Sequence, residues 1–309
     1  MAIDAAGCDG APFSKGGLMA TDSKAVVAPD EDPPPVEAFN AAMARHGHAL
    51  PQSILLAASQ AREEDNDGFR SPWVLEPTEF PVSVQGSDTR IDFILRHAVV
   101  GSLLVAECKR TNPAYSEWCF CRSAWVARDY ADWMYVQRLL RAPQQLGVSA
   151  RVAKLQHFQG KYNLGIEVKG KAKGDNSSEP QSMEKAFGQV CRGVSGLVEH
   201  LNRYPDALGE KNAIDILPVV FTTARLWTSD VDLKLADLRT GAPAPVTSLK
   251  KVDWLFCQYP LSPGLMHSLG LAHSPQNLSE FLLESLRTIA VVRATAAKNF
   301  FRDFNPSNW

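Results

Sequence analysis

The chain has 309 residues, 45% of them hydrophobic and 21% charged, an ordinary globular composition for one large domain or two small ones. Thirty-two Lys and Arg stand against 34 Asp and Glu, a formal charge of −2, which excludes wholesale coating of a polyanion but leaves a local basic patch open. No run approaches the ~20 apolar residues of a membrane helix, and the opening MAIDAAGCDG has no basic n-region and no apolar h-region, so neither a membrane partner nor a secretory leader is expected.

Residues 1–35 are rich in Gly, Ala, Asp and Pro and end in PDEDPPP. Such a segment cannot bury a core, and a disordered arm is expected. From Val36 the apolar spacing becomes helical (Val36, Phe39, Ala42, Met43, then Ile54, Leu55, Ala58), with Pro51 separating two short helices. Three strand-like runs follow, TEFPVSV (78–84), TRIDFIL (89–95) and GSLLVAECK (101–109), close enough for a hairpin series. Residues 123–141 read as an amphipathic helix carrying Trp125, Tyr130, Trp133, Met134 and Leu139, and 162–169 as a strand. The clearest helix is 181–202, where Met183, Phe187, Val190, Val194, Leu197 and Leu201 recur at helical spacing. AIDILPVVFTT (213–223) reads as a buried strand, 252–258 as another, and about 278–304 as a long C-terminal helix. The six cysteines form no C-x-x-C pair and read as reduced thiols of a cytoplasmic protein.

Two of these apolar strands hold charges. Asp92 lies among Ile91, Phe93, Ile94 and Leu95, and Glu107 follows Leu103-Leu104-Val105-Ala106, with Lys109 two residues on. Strand side chains alternate faces, so Glu107 and Lys109 point to one side, ~6–7 Å apart. A buried carboxylate costs several kcal/mol unless it is paired or bound to a cation. Two carboxylates and an ammonium on one sheet face suit a hard divalent cation and the hydrolysis of a phosphodiester. A purely structural salt bridge is the competing reading.

Asp92, followed after fourteen residues by Glu107-Cys108-Lys109, resembles the PD-(D/E)xK, or restriction-endonuclease-like, nuclease superfamily. The resemblance covers roughly residues 36–225 and departs from the name motif at Ile91, where Pro stands in the signature. It implies a mixed central β-sheet flanked by helices, with core segments at about 36–109 and 181–258, a helical and hairpin insertion at about 110–180, and the C-terminal helix, all in one nuclease domain over 36–309. It further implies Asp92, Glu107 and the Cys108 carbonyl as ligands of Mg²⁺, replaceable by Mn²⁺, with Lys109 serving the hydrolytic water. Some relatives add an acid, for which Glu79 is preferred over Glu76, Glu63 and Glu64, and a Gln on the helix after the motif strand, for which Gln189 is the choice.

Lys185, Gln189 and Arg192 are spaced four and three apart and share one helical stripe. Lys161, Lys169, Lys171 and Lys173 concentrate positive charge and, with Lys185 and Arg192, are candidates for phosphate-backbone contact. A second E-x-K, Glu167-Val168-Lys169, has Leu164, Ile166 and Val168 alternating with its charges. That pattern places Glu167 and Lys169 on the wet face of a half-buried strand rather than in a site.

The expected activity is Mg²⁺-dependent cleavage of DNA, in a prokaryotic restriction or anti-phage role suggested by the resemblance, with a homodimer and a targeting or activating subunit as partners to test. The alternatives are a repair, recombination or RNA nuclease of the same fold, or a non-catalytic module that binds nucleic acid or protein.

Overall fold

A computed structural model of the chain describes residues 35–46, 48–63, 72–84, 86–122, 133–141, 148–155, 161–169, 182–204, 206, 213–229, 236–243, 245–262, 284–304 and 306. The expected arm at 1–35 lies outside these residues except for its last position, and so do residues 123–132, Lys171 and Lys173. The chain divides into two units, Met1–Ala41 and Ala42–Trp309. The described part of the first is the opening of helix α1 (Val36–His46); the other elements belong to the second. Helix α2 (Ala49–Glu63) carries Pro51 in its first turn, where the missing N–H has no helical partner to lose.

The three expected strands form: β1 (Trp73–Val84), β2 (Ser87–His97) and β3 (Ser102–Lys109). Antiparallel pairing joins β1 to β2 and β2 to β3. Pro77 and Pro81 lie in β1, which stands at the edge of the sheet, where strand prolines are tolerated. Strand β9 (Ala213–Thr222) runs parallel to β3, with Lys109 opposite Thr222, and the helix α3 (Ser182–Arg203) lies between them in sequence. This is the strand–helix–strand arrangement that a parallel pair requires.

The described residues of the region 110–180 contribute mainly strands. It holds β4 (Glu117–Cys121), β5 (Met134–Arg141), β6 (Val148–Leu155), β7 (Lys161–Tyr162) and β8 (Leu164–Val168). The helix expected over 123–141 is therefore corrected where it is described: Met134–Arg141 is a strand, paired with β6 on one side and β9 on the other. Tyr135, Val136, Gln137 and Leu139 are all buried, and a strand covered on both faces shows no period of two to distinguish it from a helix.

The long C-terminal helix is corrected for the same reason. Leu286–Arg293 is strand β13, buried at every residue from Leu286 to Val292. It lies parallel to β9 and antiparallel to β12 (Trp254–Pro260). Among the described residues after β13, Ala297–Asp303 is α-helical, as α4. Pro218 falls within central strand β9, yet it sits where pairing with β5 ends at Ile216 and pairing with β13 begins at Val219, a gap that asks for no ladder N–H on that side.

The main sheet thus runs β1-β2-β3-β9-β13-β12-β7, with β5 and β6 attached beside β9. A smaller sheet has the order β11-β10-β4-β8, where β10 is Arg225–Ser229 and β11 is Lys250–Val252. The architecture is mixed α/β, a mostly stranded central sheet flanked by helices. Helix α3 packs on one face against β1, β2, β3 and β9, whereas α2 contacts β1 and β3 and α4 contacts β13 and α2. The two faces hold separate cores, one built on Val105, Val190, Val194 and Ile289, the other on Leu104, Phe221, Phe300 and Phe301. Among the described residues no helix is long and apolar enough to cross a membrane.

The second E-x-K faces the opposite way from the sequence expectation. Leu164, Ile166 and Val168 are exposed, and Glu167 is half-buried. Its carboxylate accepts the Met183 N–H (2.6 Å) and the Ser182 hydroxyl (2.8 Å) at the start of α3. A carboxylate there satisfies an orphan N–H and complements the positive helix end, which outweighs turning the apolar trio inward. Glu167→Ala is expected to cost about 1 kcal/mol of stability in urea unfolding and to leave any metal binding unchanged.

Candidate active site

The predicted charges meet where β2 and β3 part. Their ladder is paired from Arg96 with Leu103 as far as Phe93 with Ala106. One residue further, the side chain of Asp92 replaces the backbone acceptor: its Oδ2 takes the Cys108 N–H at 2.6 Å. The hairpin is irregular at this level. Phe80 pairs with Ile91 and Thr78 with Phe93, so Glu79 lies across from Asp92 with φ of 50°, a left-handed conformation costly for a residue with a Cβ. The consequence is a switch of faces. Ile91 joins the core beneath α3 while Phe93, two residues on, joins the opposite core. A regular strand would put both on one side.

Glu107 is 9% exposed. Burial is the main reason its carboxyl is pushed from an ordinary value of 4.5 to about 8; the charge of Asp92 adds to the rise, and Lys109 and Arg192 oppose it. Asp92 is raised in the same direction, first by burial and then by Glu79, against the lowering effect of the Cys108 N–H and Lys109. Burial likewise pushes the Cys108 thiol up, so this residue has its backbone rather than a thiolate to offer. Lys109 leaves the same end of β3, and its Nζ donates to Gln189 Oε1 of α3 at 3.3 Å.

The structure therefore brings together Asp92, Glu107, Cys108, Lys109 and Gln189, with Arg192 close enough for its charge to act on Glu107. Glu79 acts on Asp92 and Glu107 through its charge and lies 3.9 Å from Arg90. Among the described residues no three His, Cys, Asp or Glu side chains are gathered tightly enough to hold a metal. The cation-binding set offered here is accordingly two carboxylates and a main-chain carbonyl, with Glu79 as a nearby charge.

Glu76 instead pairs with Arg96 at 2.6 Å. Lys185 is exposed on α3. Of the basic residues expected to contact phosphate, Arg192 lies near Glu107, while Lys171 and Lys173 lie outside the described residues. Lys161 has its backbone in β7, four strands from β3, or about 19 Å across the sheet, and Lys169 is exposed just beyond β8 in the smaller sheet. Sequence reading missed the left-handed Glu79 and the switch of faces. The one available signal was Phe80 and Ile91 pairing apolar residues out of phase with Phe93.

The electrostatics are those of a site short of positive charge. Two carboxyls share a desolvated space and retain a proton near neutral pH, and a divalent cation between them would take that proton's place. Comparison with protein-family models, curated proteins and solved structures finds no match, so the argument for function rests on this geometry.

With the folded pKa of Glu107 raised from 4.5 to about 8, the folded chain keeps a proton that the unfolded chain releases. Stability is then fully present below about pH 4.5 and is lost as pH rises through about 8. Urea unfolding in EDTA is expected to show stability falling by a few kcal/mol between pH 5 and pH 8, and Glu107→Gln is expected to flatten that slope.

Proposed function

We propose that this protein is a metal-dependent nuclease of the PD-(D/E)xK type, hydrolysing phosphodiester bonds of DNA with Mg²⁺, or Mn²⁺ in its place. The observation that carries the reading is the convergence of Asp92 and Glu107 from adjacent strands beside a lysine held by Gln189. The donor set fits the ion: two carboxylate oxygen donors and a carbonyl oxygen suit a hard cation that keeps several of its waters. Asp92, Glu107 and the Cys108 carbonyl would hold it, and when bound it supplies charge neutralisation at the phosphate and a more acidic water.

The chain's own residues do the rest. Asp92 is fixed by hydrogen bonds from the Cys108 N–H and the Cys108 side chain. Lys109 is restrained by Gln189 on the same side as Glu107, in place to orient the attacking water and to offset charge that develops on the phosphate. Gln189 positions Lys109 rather than touching substrate. Strand β3 anchors the group rigidly, because it is buried from Ser102 to Ala106 between β2 and β9.

Cleavage assays on supercoiled plasmid and on a single-stranded oligonucleotide, activity on either one sufficing, check this. Cleavage is expected in Mg²⁺ and in Mn²⁺ and absent in EDTA. Lys109→Ala and Glu107→Ala are expected to reduce it by about 10² to 10⁴, and Gln189→Ala by about tenfold. Cleavage that survives both of the first two substitutions in folded protein would rule out this assignment. A structural salt bridge predicts instead that Asp92→Asn destabilises the chain and alters no activity.

A further inference from the structure

Helix α3 continues its polar stripe beyond the candidate site. Lys185, Gln189 and Arg192 are followed by Gly196, Glu199 and Arg203, a run of alternating four- and three-residue steps that stays on one side of the helix. At Gly196 the hairpin comes close: a Cβ there would lie 2.6 Å from Val82 Cβ. Beyond that contact the hairpin and the C-terminal half of α3 enclose a cleft of about 840 Å³, whose lining includes Ser83, Asp88, Arg90, Glu199, His200 and Arg203.

The cleft is tied to the site at one end, where Arg90 in its wall faces Glu79 at 3.9 Å. It begins about one helical turn, ~6 Å, beyond Arg192 and reaches Arg203 some 16 Å from it. Of the aromatic rings in this region His200 lines the cleft; it meets Phe80 edge-on with ring centres 5.1 Å apart and, on the helix side, Tyr204 at 5.0 Å. Tyr204 is 54% exposed.

We infer that this cleft is a binding groove for unpaired nucleotides of the substrate strand next to the scissile phosphate, and that the substrate is therefore single-stranded or flapped nucleic acid. The inference rests on the nuclease reading above. The chemistry of the walls matches one strand. Arg90 and Arg203 offer charge to phosphates, the His200 and Tyr204 rings offer faces on which a base stacks, and Asp88 and Glu199 offer acceptors to the amino and imino groups of an unpaired base edge. A duplex keeps those edges paired and its base faces covered. The volume is that of a small-ligand pocket, enough for one or two nucleotides rather than a double helix.

The test uses the full chain with Lys109→Ala as background, so that substrate is not consumed in Mg²⁺. Fluorescence anisotropy would compare a labelled single-stranded 12-mer with the duplex of the same sequence. Single-strand binding is expected to be the tighter. Arg203→Ala and Tyr204→Ala are each expected to weaken it at least fivefold, with duplex binding little changed. Thr89→Trp, which fills the cleft from the position paired with Val82 on the α3 side without removing a charge, is expected to weaken it likewise, and its melting temperature checks that it folds. Unchanged single-strand affinity in folded Arg203→Ala and Thr89→Trp, or tighter binding of the duplex, would overturn the groove. If the Lys109-intact protein still cleaves in Mg²⁺, that result leaves the nuclease reading standing. Absence of any nucleic-acid binding together with absence of cleavage would overturn both.

Discussion

The geometry of the site depends on one buried strand ending in charge. Strand β3 is buried from Ser102 to Ala106 and paired on both edges from Leu103 to Ala106, so its backbone has almost no freedom. Glu107, Cys108 and Lys109 follow without a break, and Lys109 is still in register with Thr222 of β9. A rigid strand thus delivers a carboxylate and an ammonium in fixed positions at its carboxyl end, which is what the proposed chemistry would need. The same rigidity is why the charges cannot relax apart: Glu107 and Asp92 are held in a space with too little water to solvate two anions.

The hairpin accommodates this arrangement by changing faces. Asp92 does not continue the ladder; it substitutes a side-chain oxygen for a main-chain acceptor and holds the Cys108 N–H. The left-handed backbone at Glu79, opposite it, lets β1 and β2 turn Phe80 and Ile91 toward α3 while Thr78 and Phe93 turn away. A local cost in backbone conformation sits beside the residues to which the chemistry is assigned, the usual place for such strain. Helix α3 completes the site from one face. Its apolar side, from Met183 to Leu201, is buried, and its polar stripe carries Gln189 to Lys109 and continues toward the cleft under the hairpin.

Much of this was legible in the residues themselves. The β1–β3 series, α3 and β9 followed from apolar alternation, helical spacing and one continuous apolar run, and Asp92, Glu107 and Lys109 stood out because charge in an apolar strand is expensive. Gln189 was singled out by the family resemblance, which asks for a Gln on this helix, and it does meet Lys109. What failed was the reading of apolar segments that end up enclosed on both sides. Met134–Arg141 and Leu286–Arg293 lie within the sheet, and their dense apolar runs carry no period to separate strand from helix. The strand β8 misled for another reason. A pairwise interaction, Glu167 with the first turn of α3, decided which face turned inward, and local alternation contains no information about that partner. Of the lysines of the insertion, Lys161 is carried by β7 to the far edge of the main sheet and Lys169 follows β8 in the smaller one, a separation that nearness along the chain does not reveal.

The central claim is that Asp92 and Glu107 form a cation site and not an internally balanced pair. Calorimetric titration of the purified chain with Mg²⁺ and with Mn²⁺ tests it most directly. The account predicts binding that Asp92→Asn and Glu107→Gln abolish and that Glu167→Gln leaves intact. Equal binding in all four proteins, or none in any of them, would contradict it.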